Sequence, residues 1–322
     1  MKNSTVKRFF KSNLSEIGVF ALLMVLFVGT ALKSDIFLTY QNISSICSGL
    51  SYYGIIVAGA GIVMIMGGLD LSQMSAMAMG VVVGGQILLS DIPGAPVFAI
   101  LAQILIGALC GLINGLIISY AKIPPMVTTI GTQYIFSALA FIIVGSQSFW
   151  IDNKVYKIIG FNKFAGVPIL LWIMLFVFII VWGIVKYTQF GQNVYAIGSN
   201  EQAAKLSGIN VIKTKITAYI LSGGLAGLAG VLWMAQLSAA KPSAGSGQEM
   251  IPLAAVVIGG VSLNGGKGSM PGVLFGISLL MLLANTMTLL HLSTYLQQLC
   301  QGLILIIAVI AGTKRGKKQL DI

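Results

Sequence analysis

Apolar stretches close to twenty residues long recur down this chain, each broken by a short polar interruption. Runs such as Leu170–Val185 are almost wholly apolar. Segments of this kind cross membranes as helices, because a helix satisfies its own backbone in a solvent without hydrogen-bond partners. A transmembrane barrel would show short alternating segments instead. The pattern predicts spans near 16–33, 50–68, 72–90, 97–120, 126–145, 167–186, 215–238, 251–263, 271–290 and 292–312. The expected fold is therefore an all-α integral membrane protein of about ten transmembrane helices, with residues 1–322 forming one membrane domain. The eighth stretch is short, and the second and eighth end in the pairs Gly67-Gly68 and Gly259-Gly260. Broken or partly inserted helices are expected there. The first stretch follows Lys7, Arg8 and Lys11 without a convincing small-residue cleavage site, so it reads as an uncleaved span.

One interruption is patterned rather than merely polar. Between Tyr187 and Thr214, Ser199 and Gln202 have capping-box spacing, Glu201 falls in the first turn, and Gly208 follows the last helical residue. The spacing predicts a helix of about eight residues, shorter than the ~12–15 that stands alone in water. Such a helix must pack on something, and a docking element offered to a partner is the expectation.

Composition agrees with the pattern. The chain is 57% hydrophobic and 8% charged, with mean hydropathy +0.95, whereas soluble domains carry roughly 25% charged residues. The net charge of +11 is not a nucleic-acid stripe, since the basic residues are scattered or lie beside apolar runs. With the N-terminus inside, the ten predicted spans leave fourteen Lys and Arg on the inner side and five on the outer. That bias places both termini and the 187–214 loop in the cytoplasm and the 146–166 loop outside. Cys47, Cys110 and Cys300 lack metal-ligand spacing and read as free thiols.

Catalytic chemistry is missing from the sequence. The single histidine, His291, falls in a predicted turn, and no paired carboxylates occur. Gly259–Ser269 resembles a phosphate loop at first sight, but Val261 stands at the first glycine position and Gly268 follows Lys267, so the match fails. These glycines read as a tight turn where helices approach closely. Asp70, with Gln73 three residues on, reads as a cap for the next helix in preference to a polar gate. Pro124-Pro125 reads as a helix start. Polar residues inside spans (Asn114, Thr128, Thr129, Thr132, Gln133, Ser222, Gln236, Asn285, Thr286 and Gln301) singly suit helix–helix hydrogen bonds; together they suit a wet path for a neutral hydroxylated solute. Asp70, Asn114, Gln133, Gln236, Glu249 and Asn285 are the candidate pathway or gate residues.

Five segments in order carry a resemblance: GGLDLSQMS (Gly67–Ser75), GLINGLII (Gly111–Ile118), PPMVTTIGT (Pro124–Thr132), YAIGSNEQAAKLSGI (Tyr195–Ile209) and GSGQEMIPLAAVVIGGVSLNGGKGS (Gly245–Ser269). Over nearly its whole length the chain resembles the membrane permease subunit of bacterial ABC sugar importers of the ribose type. The resemblance implies a type II importer-like permease in the bacterial inner membrane. It implies a second permease copy or paralogue, two cytoplasmic ATPase subunits that carry ATP and magnesium, and an extracytoplasmic solute-binding protein. Gly198, Asn200, Glu201, Ala203, Ala204 and Gly208 would then form the ATPase-facing helix. Gln73, Met74, Ser199, Ile251 and Pro252 depart from the usual pattern, which leaves the solute open between a monosaccharide and a nucleoside or furanosyl signalling molecule. An ATPase-independent carrier or channel is the reading from another class.

Overall fold

The computed structural model describes residues 14–90, 92–293, 295–300, 302, 303, 306 and 310. Its helices are α1 (Leu14–Lys33), α2 (Tyr40–Ile65), α3 (Gln73–Leu88), α4 (Ala95–Leu116), α5 (Pro125–Val144), α6 (Lys154–Phe161), α7 (Ile169–Tyr187), α8 (Gln189–Ser199), α9 (Glu201–Leu206), α10 (Val211–Leu237), α11 (Met250–Ile258) and α12 (Met270–Leu289). A π-helical turn, Ile117–Ala121, prolongs α4 and ends at Lys122 with φ +56°. Pro124 and Pro125 then open α5, as the sequence predicts.

Among the described residues, six helices are long and apolar enough to cross a membrane: α2, α4 with its extension, α5, α7, α10 and α12. Two of them, α2 and α10, are central, with 67% and 61% of their apolar windows buried; α4, α5 and α7 bury 28% and turn apolar faces outward. Those outward faces are the lipid-contacting surface of an all-α membrane protein. The span expected at 50–68 starts ten residues earlier, where the Thr39 hydroxyl accepts from the Asn42 amide and caps α2. The expected span at 251–263 shrinks to the nine residues of α11, because the chain turns at Gly259 and Gly260. Part of the expected tenth span, 292–312, lies outside the described residues.

A close antiparallel seam joins α4 and α10. Gly107, Gly111 and Gly115 on α4 repeat every fourth residue, as do Gly223 and Gly227 on α10. A methyl group on Gly107 would lie 2.1 Å from the Gly223 carbonyl oxygen; on Gly111, 2.0 Å from that of Tyr219; on Gly227, 2.1 Å from that of Gln103. Lipid tails are as apolar as side chains, so association inside the bilayer depends on close packing of this kind.

Short strands, not anticipated in an all-helical reading, clasp one end of the bundle. Phe149-Trp150 (β1) pairs with Ala239-Ala240 (β4), and Lys163-Phe164 (β2) pairs with Val167-Pro168 (β3). Tyr156 of α6 is buried beneath them and accepts from Gln103 Nε2 at 2.8 Å. Burial pushes its phenol above the ordinary tyrosine range, so it stays neutral.

Candidate functional site

Between α2 and α3 the chain turns at an exposed glycine and then runs back into the bundle. Gly67, with φ +86°, reverses the backbone, and Leu69 and Asp70 then run among α4, α5 and α10. The Leu69 carbonyl accepts from the Tyr219 hydroxyl at 3.2 Å and from the Thr129 hydroxyl at 3.4 Å. Asp70 is not the N-cap of α3; Ser72 occupies that position and makes no side-chain cap bond. Instead Asp70 Oδ1 accepts from the Ser72 amide at 3.1 Å and the Ser72 hydroxyl at 2.7 Å, while Oδ2 accepts from the Ser222 hydroxyl at 2.7 Å. A partly buried carboxylate demands such donors, and this demand outweighs capping.

Two further amides set the direction of these bonds. Asn114 Nδ2 donates to the Ser72 hydroxyl at 2.7 Å, and its Oδ1 accepts from Thr132 at 2.7 Å. Gln73 Nε2 donates to the Ser222 hydroxyl at 2.8 Å and to the Ile56 carbonyl at 3.2 Å. Each serine oxygen thus receives an amide hydrogen on one side and gives its own to Asp70 on the other. The result is a directed network joining α2, α3, α4, α5 and α10 at one carboxylate.

Next to the network is a cavity of about 130 Å³, lined by Met74, Ser75 and Ala78 of α3, Gln133, Tyr134 and Ser137 of α5, and the loop after β4. That loop contributes Pro242, Ala244, Ser246 and Glu249. The lining combines hydroxyl and amide groups with one carboxylate, and Glu249 Oε1 accepts from the Gly247 amide at 3.0 Å. Such a surface offers neutral hydrogen bonds and no positive charge.

The candidate pathway residues therefore separate. Gln133 and Glu249 line the cavity; Asp70 and Asn114 belong to the network beside it. Gln236 reaches neither. Asn285 forms a reciprocal amide pair with Asn42, donating at 2.7 Å and accepting at 3.2 Å, which ties α12 to α2. Asn285→Ala is accordingly expected to lower the melting temperature with no change in solute preference, measured by thermal unfolding alongside competition uptake. Ser75, Ser137 and Ser246 were not singled out from sequence; Gln133 and Ser137, four apart on α5, were the signal for a polar stripe there.

The 187–214 segment holds two helices, not one. Ser199 ends α8, its hydroxyl donating back to the Tyr195 carbonyl at 2.8 Å, so it cannot cap the next helix. Asn200 takes that place: extended at φ −162°, it accepts from the Ala203 amide at 2.9 Å. Helix α9 is six residues and ends in a Schellman motif, with the Gly208 amide donating to the Lys205 carbonyl and the Ile209 amide to that of Ala204, both at 3.1 Å. Glu201, Ala203, Leu206 and Gly208 are exposed, whereas Ala204 faces inward. Glu201 is bound to Lys215 of α10 at 2.8 Å. Gly198, in the last turn of α8, packs inward against Ile65.

A family model described as "Branched-chain amino acid transport system / permease component" matches residues 42–309. The ribose import permease protein of Haemophilus influenzae is 34% identical over 325 residues, covering 99% of this chain and 100% of that one. The ribose import permease protein of Escherichia coli K12 is 33% identical, covering 96% and 97%. The L-arabinose transport system permease protein of the same strain is 33% identical, covering 94% and 92%. No solved structure matches the chain.

Proposed function

The chain belongs to the permease-component family of the branched-chain amino acid transport type, and on that premise we propose that it is the membrane subunit of an ATP-driven importer of a neutral monosaccharide. Full-length similarity to permeases named for ribose and for L-arabinose carries this reading. A cavity edged by Ser75, Gln133, Ser137 and Ser246 supports it, since a sugar is recognised through its hydroxyls. Gln133 and Glu249 are the residues that we assign to the solute path, with Asp70 and Asn114 holding its wall in place.

In this reading the membrane is the bacterial inner membrane, ten spans cross it, and both termini lie in the cytoplasm, as the lysine and arginine asymmetry favours. A second permease copy or paralogue completes the pathway. Two ATPase subunits, which carry the ATP and magnesium, grip the exposed face of α9 around Glu201 and Ala203. An external binding protein delivers the sugar. ATP binding draws the two docking helices together and shifts the population between outward- and inward-open states.

Reconstitution into lipid vesicles tests the proposal. Uptake of radiolabelled ribose or arabinose should require the ATPase subunits, the binding protein and ATP. Unaided flux through this chain alone would sink it. Glu201→Ala and Gly208→Ala should each reduce ATP-dependent uptake about tenfold while the permease remains in the membrane. Normal uptake in both variants would remove α9 from the docking role.

A further inference from the structure

The glycine-rich stretch Gly259–Ser269 fails as a phosphate loop, yet its glycines sit at a crowded backbone junction beside the α8–α9 segment. We infer that this loop is the transmission joint of the transporter: it fuses the end of α8 to the end of α2, so that displacement of the docking segment reaches the Asp70 network through the short Gly67–Leu69 link. The inference rests on the reading of α8–α9 as the ATPase dock.

Three backbones meet there without side chains between them. The Gly266 amide donates to the Ile65 carbonyl at 2.8 Å. A methyl on Gly198 would lie 2.0 Å from the Ile65 oxygen and 2.5 Å from the Gly266 nitrogen. One on Gly265 would lie 2.7 Å from the Gly67 Cα and 3.0 Å from the Gly198 Cα. One on Gly266 would lie 2.7 Å from the Ser199 Cα. The Tyr195 hydroxyl adds a bond to the Gly268 carbonyl at 2.8 Å.

Contacts of this kind are stiff. Side chains accommodate sliding by changing rotamer, but abutting backbones have no such freedom. The loop is anchored on its other side as well, because Gly259 and Gly272 are equally close: a methyl on Gly259 would lie 2.4 Å from the Gly272 oxygen. Two residues beyond Gly67 the chain is Leu69 and then Asp70, whose bonds extend to α4, α5 and α10. Four residues beyond Asp70 is Met74, in the cavity wall. A shift of α8 therefore pushes on the cavity wall through a few covalently linked residues.

The experiment compares solute moved per ATP hydrolysed in the reconstituted full complex. Gly198→Ala should lower that ratio about tenfold while the ATPase subunits still co-purify with the permease, since the exposed face of α9 is untouched. Tyr195→Phe, which removes one hydroxyl and no packing volume, should lower it about threefold. Gly183→Ala, on the open side of α7 with nothing near it, should leave it unchanged. An unaltered ratio in Gly198→Ala and Tyr195→Phe overturns the inference, as does loss of ATPase binding in both, which would make the joint part of the dock itself. If Gly198→Ala does not fold, Tyr195→Phe decides. A wild-type permease that binds no ATPase would overturn the functional reading first, and the two failures are distinct.

Discussion

Asp70→Asn is expected to destabilise the protein by about 3 kcal/mol: a hydrogen bond to a charged group (about 1.5–3 kcal/mol) is lost and a donor is left unpaired (about 1–3 kcal/mol). The substitution changes almost no volume, so packing cannot account for a loss of that size. What changes is direction. Asn114 and Gln73 supply hydrogens to the Ser72 and Ser222 oxygens, and both serine hydroxyls give theirs to position 70. An asparagine there turns one acceptor into a donor. A donor then faces a donor, and the serine there can accept the new amide hydrogen on its second lone pair only by turning its own hydrogen away from position 70. Against a total stability of about 5–15 kcal/mol the loss is large. Thermal unfolding in lipid or mild detergent should register it as a fall well beyond that of Ser222→Ala. The latter removes neutral membrane hydrogen bonds worth about 0.6 kcal/mol on average plus one bond to a charged group. An Asp70→Asn protein that melts like the wild type would show that the network is not ordered in this direction.

Gly107→Ala is expected to break the central seam at a cost of about 3 kcal/mol or more, the upper end for over-packing a core. The added methyl would sit 2.1 Å from the Gly223 oxygen, a rigid backbone atom. Relief requires α4 and α10 to separate along their length, which would weaken the neighbouring contacts at Gly111 and Gly227. Gly131→Ala, with nothing within 4 Å, serves as the matched control. The yield of monodisperse protein and its melting temperature should fall for the first and hold for the second.

How much of this is legible in the sequence depends on the range of the interaction. Helix presence follows from local apolar runs, and most spans come out within a few residues. The glycines of the seam are visible as well, but their partners are not. Nothing local to Gly107 says that Gly223 will cover it, because the pairing is decided by how the helices arrange themselves. The same holds for Asp70. A carboxylate before a helix is usually a cap, and only the fold brings Ser222 to it. The cap of α9 falls one position later than the spacing predicts, at Asn200 instead of Ser199, for a local reason. Ser199 is consumed by α8, a helix that the polar composition of Thr188–Tyr195 conceals. Of the candidate path, Gln133 and Glu249 were legible as polar residues out of place, whereas Asn285 has the same signature and is bound to Asn42.

The α4–α10 seam also sets a timetable for making the protein. Its two faces are separated by roughly 110 residues, which a ribosome takes about 6–20 s to supply at 5–20 residues per second. Through that interval α4 lacks the backbone that covers its glycines in the fold. They are covered only when α10 is inserted, and β1 finds its strand β4 immediately afterwards. Assembly is therefore gated late. A chain stopped before Val211 lacks the helix that covers the α4 glycines.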